Sequence, residues 1–290
     1  MERQHQALNA AKPNKEAKSQ VSKPEQEQKQ ESRPKQVSDK PPEQAKPNPV
    51  ETVLPILGRS NQLTAKQVAA MQDWRSDSVL TARAYPGQVY VNGPASRKQV
   101  CLTFDDGPDL INTPKILDVL KEYKVNGNFF FKGNRVIKYA DVVKRADREG
   151  SLVLSHAYSH QELNKMNAYD IDKEIWASDK TFNEIIGKVP ALIRPPFGSV
   201  NNDVINECSS NGERIILWSI DTLDWSQMER ENIAANVLDN IRPGDIILMH
   251  SDEDKGETAA ALPDIIKGLR SKGYSIVTLS EMLGVPAYKK

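Results

Sequence analysis

The 290-residue sequence is short of several things. Two cysteines are too few for a zinc ribbon or a disulfide framework. There is no net charge, with 39 basic and 39 acidic side chains, which argues against a polybasic nucleic-acid binder. No apolar run approaches the roughly 18 residues that a membrane span needs. Met1 to Ala11 has none of the apolar core, about 7–15 residues, that marks a signal peptide. That start fits a cytosolic chain, or one beginning after a removed export signal or anchor.

Aromatics are also scarce, and their distribution divides the chain. Residues 1–50 contain no Phe, Tyr or Trp, but seven of the eighteen prolines and eight glutamines. They hold ten basic and seven acidic groups, which leaves the remainder slightly acidic. Such a segment cannot bury enough apolar surface to offset its ordering entropy, so we expect a disordered, Pro-interrupted spacer. A long polar spacer ahead of a folded domain favours export over a cytosolic origin, with an extracellular or wall-associated location. Residues 51–97 read as a lead-in packed on the main domain. It has a helix from Thr64 as N-cap through Trp74, an ambiguous stretch over 75–98 and a short strand at 88–91.

From residue 98 to 290 the pattern is regular. Apolar runs at 99–104, 127–131, 152–155, 191–194, 214–220, 245–250 and 274–279 predict strands. Amphipathic stretches at 113–124, 135–148, 170–186, 201–210, 230–241 and 259–271 predict helices. Pro114 lies just inside a helix start, Asp170 can cap the next but one, and Gly150, Gly187, Gly212 and Gly273 follow helix ends. Alternation of this kind means a parallel sheet with crossover helices. Periodicity does not choose between a seven-stranded barrel and an open doubly wound sheet.

Parallel α/β proteins keep their chemistry at the carboxyl ends of the strands. Here those ends carry Asp105-Asp106, Ser155-His156 with His160 beyond, Arg194-Pro195-Pro196-Phe197-Gly198, Asp221 with Asp224-Trp225, and His250-Ser251. The sequence has four histidines, and all but His5 sit at these ends. Asp106, His156 and His160 form a plausible site for Zn²⁺ or a similar divalent ion, two neutral imidazoles and a carboxylate leaving open positions for water. The adjacent carboxylate Asp105 can act as a base, its pKa set apart from its neighbour's by environment.

With these residues in order the chain resembles the polysaccharide deacetylases with a NodB homology domain, carbohydrate esterase family 4. The motifs are TFDDGP (103–108), SHAYSH (155–160), RPPFGS (194–199), DTLDW (221–225) and LMH (248–250), and the resemblance spans about residues 98–282. It implies a distorted (β/α)7 barrel with a groove at its top. It implies a divalent metal, zinc first with cobalt or nickel as alternatives, held by Asp106, His156 and His160. Asp105 would be the general base and Arg194 would orient it. His250 would be the general acid, with Asp221 adjusting its pKa. Pro195, Pro196, Phe197, Trp225 and Leu248 would line the substrate site. The backbone N–H of Phe197, which replaces the family's usual Tyr, would help bind the oxyanion. Two positions depart from the family: Ser155 replaces Asn, and Ala157 replaces Ser or Thr. These are residues behind the ligands, and lost hydrogen bonds there can weaken metal binding roughly 10–100-fold.

The implied activity is de-N-acetylation of an N-acetylglucosamine-containing polymer. We rank peptidoglycan first, chitin-type oligomers second and acetyl-xylan third, with a catalytically impaired wall-binding module as the rival. No nucleic-acid partner and no membrane span are expected. Trp225 has two readings, sugar stacking and core. Trp218 and Trp176 read as packing, Phe129, Phe130 and Phe131 as a buried strand, and Cys101 as a buried thiol. A Cys101–Cys208 disulfide is compatible with export but not established by sequence.

Overall fold

The computed structural model describes residues 50, 52–227, 229–252 and 254–290. The expected spacer, apart from Val50, lies outside the described residues. The strands are β1 (Val89–Tyr90), β2 (Gln99–Asp105), β3 (Asn128–Phe131), β4 (Leu152–Ser155), β5 (Leu192–Ile193), β6 (Arg214–Ile216), β7 (Ile220–Asp221), β8 (Ile246–His250) and β9 (Ser275–Ile276). All pair in parallel, in the order β1-β6-β5-β4-β3-β2-β8-β7, with β9 beside the start of β2.

The expected strand 214–220 is two strands. β6 pairs with β5 and β1, and β7 pairs with β8, with Leu217, Trp218 and Ser219 between them. This one run of chain therefore meets both ends of the sheet. An open doubly wound sheet cannot do that, so the fold is a curled, distorted β/α barrel. The break has a cause: the buried Arg194 guanidinium takes the carbonyls of Ile216 and Leu217, at 3.0 Å each, away from any ladder.

Strand alternation sorts the core into two layers. Cys101, Phe130, Leu154, Ile246 and Leu248 share one apolar cluster. Leu102, Phe104, Phe129, Phe131, Val153, Ile247 and Met249 pack in a second cluster with residues of the outer helices. Continuing the first set by twos along each strand reaches Asp105, Lys132, His156 and His250. In β2 and β8, Asp105 lies directly opposite His250. Register alone thus brings a carboxylate and an imidazole together at one end of the barrel.

Helices Asn112–Glu122, Ala168–Ile186, Asn202–Ser210, Arg230–Leu238 and Gly256–Ser271 fall where expected, and 135–148 is divided into Gly133–Lys138 and Ala140–Arg148. The cap of Ala168–Ile186 is Asn167, not Asp170; the Asn167 side chain accepts the Asp170 N–H at 3.0 Å. The four glycines beyond helix ends all have positive φ.

The lead-in helix, Ala65–Ala84, starts at Thr64 with a capping box to Gln67 and runs ten residues past Trp74. Only Ser78 and Ala82 of it are buried, so it lacks an apolar stripe to mark its length. It is followed by β1, and Leu57 bridges Ile220 of β7. Trp176 is 60% exposed and so is not a packing residue. Cys101 and Cys208 are both buried free thiols, so no disulfide joins them.

Candidate active site

The carboxyl ends of the strands surround a pocket of about 490 Å³. Asp105, Asp106, His156, His160, Phe197, Asp221, Trp225, Leu248 and His250 all line it, as do Met71, Trp74, Trp218 and Lys255. Arg194 lies behind the wall, fully buried. Pro195 and Pro196 were expected to touch substrate, but they are buried and do not line the pocket. They shape the turn instead, their carbonyls accepting the N–H groups of Gly198 and Ser199.

Asp106 Oδ1 faces His160 Nε2 at 2.9 Å and His156 Nε2 at 3.7 Å. The three ligand atoms lie within 4.8 Å of one another. His156 Nδ1 is 2.6 Å from the Arg194 carbonyl, which only accepts, so Nδ1 carries the proton and Nε2 offers its lone pair to the pocket. Burial holds the His156 pKa down to about 4, despite Asp105 and Asp106, so the ring is neutral near pH 7. Asp106 is held far below the usual carboxylate range: burial opposes this, but His160, His156, His250 and Lys132 outweigh it. Two imidazole nitrogens and a carboxylate oxygen brought this close together suit a divalent cation.

Asp105 is held through Oδ1 by Arg194 Nη1 at 2.7 Å, and its Oδ2 is 4.0 Å from His156 Nε2. Three more of the five Arg194 donors go to Thr103 Oγ1 and the carbonyls of Ile216 and Leu217. Its guanidinium also lies over the Phe130 ring at 4.3 Å. A guanidinium held by four hydrogen bonds and stacked on a ring is fixed in place, and it fixes Asp105 in turn.

The partner of His250 differs from the sequence expectation. Asp224, not Asp221, receives the His250 Nδ1 proton at 2.7 Å and the His250 backbone N–H at 2.8 Å. Thr258 Oγ1 donates to the same carboxylate at 2.7 Å. Burial works to lower the His250 pKa, but Asp224, with help from Asp106 and Asp105, pushes it up to about 10. Asp221 accepts the Leu223 N–H at 2.9 Å and faces Arg75 at 4.0 Å, and burial raises its pKa. Leu223 has φ 55°, which tightens the turn so that Asp224 opens helix Asp224–Gln227 beneath His250.

Among the described residues six non-glycines have positive φ, and five of them, Asp106, Ala157, His160, Phe197 and Leu223, lie in the site motifs. Each costs on the order of 1–2 kcal/mol, which the surrounding packing must offset. Of the two departures from the family, Ser155 has a partner, its Oγ pairing with Ser178 Oγ at 3.0 Å. Glu174 accepts from Tyr158 N–H, Ser159 N–H and Ser159 Oγ, at 2.7–3.0 Å, and so holds the loop between the two histidines.

Sequence reasoning missed Lys132, whose Nζ is 3.2 Å from Asp106 Oδ1. The signal was there: Lys132 directly follows β3, the one strand between two functional strand ends whose terminus was passed over. Met71 and Trp74 were missed because they precede the β/α pattern.

The family profile described as polysaccharide deacetylase matches residues 92–216. A peptidoglycan-N-acetylglucosamine deacetylase of Bacillus cereus is 38% identical over 201 residues, covering 69% of this chain and 73% of that protein. The peptidoglycan-N-acetylglucosamine deacetylase PgdA of Listeria monocytogenes is also 38% identical, over 65% of this chain but only 40% of its own length. A crystal structure of a peptidoglycan N-acetylglucosamine deacetylase with an N-oxidanyl-benzamide superimposes with a TM-score of 0.68 at 36% identity, covering 69% of this chain and 95% of that one. The chain therefore belongs to the polysaccharide deacetylase family, carbohydrate esterase family 4. It is a carbohydrate deacetylase, and that class is metal-dependent.

Proposed function

We propose that the protein removes N-acetyl groups from the N-acetylglucosamine of peptidoglycan, outside the cell or in the wall, with zinc as the resident ion. The observation that carries this reading is one pocket joining the Asp106-His156-His160 ligand set to Asp105 on one side and His250 on the other. The names of the similar proteins support peptidoglycan as the polymer. The polar, Pro-rich composition of residues 1–50 supports the location.

Asp106, His156 and His160 would hold the ion. When bound, it supplies positive charge that polarises the acyl oxygen and acidifies water. Asp105 takes the proton of the attacking water, its carboxylate aimed by Arg194. The N–H of Phe197 meets the charge that develops on the acyl oxygen. His250, kept protonated by Asp224, delivers the proton that the departing amine needs. Leu248 packs against the acetyl methyl, and Trp225, 43% exposed, offers a face to the sugar ring. No acyl-enzyme is needed.

The test is acetate release from peptidoglycan, N-acetylchitooligosaccharides and acetyl-xylan, with Zn²⁺, Co²⁺ or Ni²⁺ added to metal-stripped protein. Mass spectrometry of the digested product assigns the lost acetyl group to GlcNAc or MurNAc. Peptidoglycan with zinc should give the highest rate, and the lost group should be on GlcNAc. Stoichiometric metal with no acetate from any substrate would favour the wall-binding rival.

A further inference from the structure

Helix Ala65–Ala84 precedes the residues that match the family, yet Met71 and Trp74 line the pocket beside Asp105, His156 and His250. Trp74 makes two separate contacts there. Its ring stacks on Trp218, centroids 4.8 Å apart and planes 27° apart. Its indole Nε1 donates to the Gly198 carbonyl at 3.1 Å.

That carbonyl belongs to the turn expected to bind the oxyanion. Phe197 and Gly198 are consecutive left-handed residues, φ 60° and 61°. Gly tolerates this region; Phe is strained in it and stays only if its surroundings hold it. On one side the Phe197 ring lies against His160, centroids 4.8 Å apart. On the other, a Cβ added at Gly198 would sit 2.5 Å from the Trp74 ring and 2.9 Å from the Trp218 ring. The backbone of the turn thus runs directly against the two stacked indoles, and Trp74 also ties down its carbonyl. A peptide unit whose C=O is fixed in this way has little freedom to rotate, and its own N–H, that of Ser199, donates at 3.1 Å to the Pro196 carbonyl of the peptide that carries the Phe197 N–H.

We propose that Trp74 is a positioning residue of the active site, clamping the Phe197–Gly198 turn so that the Phe197 N–H stays aimed at the acyl oxygen. Helix Ala65–Ala84 is then part of the catalytic unit, not a cover on the barrel. The inference rests on the deacetylase reading given above. Its test separates the hydrogen bond from the stack. Trp74→Phe keeps an aromatic ring on Trp218 and removes the donor. It should lower kcat about three- to ten-fold while KM stays within about two-fold, the effect of one neutral hydrogen bond felt mainly in the transition state. Trp74→Ala also removes part of the pocket wall and should lower kcat further and raise KM.

Calorimetry on the zinc-loaded protein adds a readout without turnover. A methylphosphonamidate of glucosamine, tetrahedral and anionic like the intermediate, should bind Trp74→Phe more weakly by about the factor lost in kcat. An N-acetylchitooligosaccharide should bind it within about two-fold of wild type. Unchanged kcat and unchanged phosphonamidate affinity in both variants, with only a lower Tm, would overturn the clamp and leave Trp74 as packing. A wild-type protein that releases no acetate and binds neither compound would overturn the deacetylase reading instead, and the clamp with it.

Discussion

Replacing Asp224 by Asn changes one charge and leaves an acceptor for His250 Nδ1. In the wild type, Asp224 sits 2.7 Å from that nitrogen, and the imidazole titrates at about 10 against an ordinary value of 6.5. Burial alone would drive it the other way. An opposite charge at contact distance accounts for about one to three pH units of such a displacement. With a two-unit fall, the protonated fraction at pH 9 drops from about nine-tenths to about one-tenth, so kcat there falls about ten-fold. Near pH 6.5 most of the ring is still protonated, and kcat should stay within about three-fold. The assay is kcat for acetate release between pH 5.5 and roughly 10, where the alkaline limb reports the acid in the substrate complex. Stability follows the same pair. A raised histidine pKa contributes stability that is complete below about 6.5 and lost as pH rises through about 10. The lowered Asp224 contributes above about 4 and is lost as pH falls. The Tm deficit of the variant should therefore be largest near pH 6 and shrink toward pH 10. Asp221→Asn is the comparison, because its carboxylate faces Arg75 and the Leu223 N–H. An alkaline limb unmoved in Asp224→Asn but displaced in Asp221→Asn would refute the assignment.

Arg194→Met should remove activity and destabilise the fold. It strips the buried Asp105 of its ion pair, at a cost of about 3–5 kcal/mol, or a Tm roughly 10 °C lower by calorimetry. Glu174→Gln should weaken zinc binding about ten-fold in competition titrations, because the loop carrying His160 loses a charged acceptor of three hydrogen bonds; an unchanged affinity would mean the loop is held by other contacts.

Much of the site was legible because strand ends are legible. A buried parallel strand reads as an apolar run, so the polar residue that terminates it stands out, as Asp105, His156, Arg194 and His250 do. Asp224 was not legible as the partner of His250. Asp221 and Asp224 lie three residues apart, and only the left-handed Leu223 between them decides which faces the imidazole. Trp176 misled for a similar reason. The buried stripe of its helix runs through Ile171, Ile175, Ser178 and Phe182, and one residue beyond Ile175 turns the side chain out by about 100°. The strand break at 217–219 depends on Arg194, more than twenty residues away in sequence. Trp74 depends on a helix outside the repeating pattern. Local periodicity carries no information about either contact.

The central claim is that Asp105 and the three ligands divide the work, one removing a proton and the others holding the ion. Zinc content and acetate release measured on the same preparation of Asp105→Asn test it most directly. The expected result is close to one zinc per chain and kcat down by at least about a hundred-fold. Near-normal acetate release from that variant, or loss of zinc along with activity, would contradict the division.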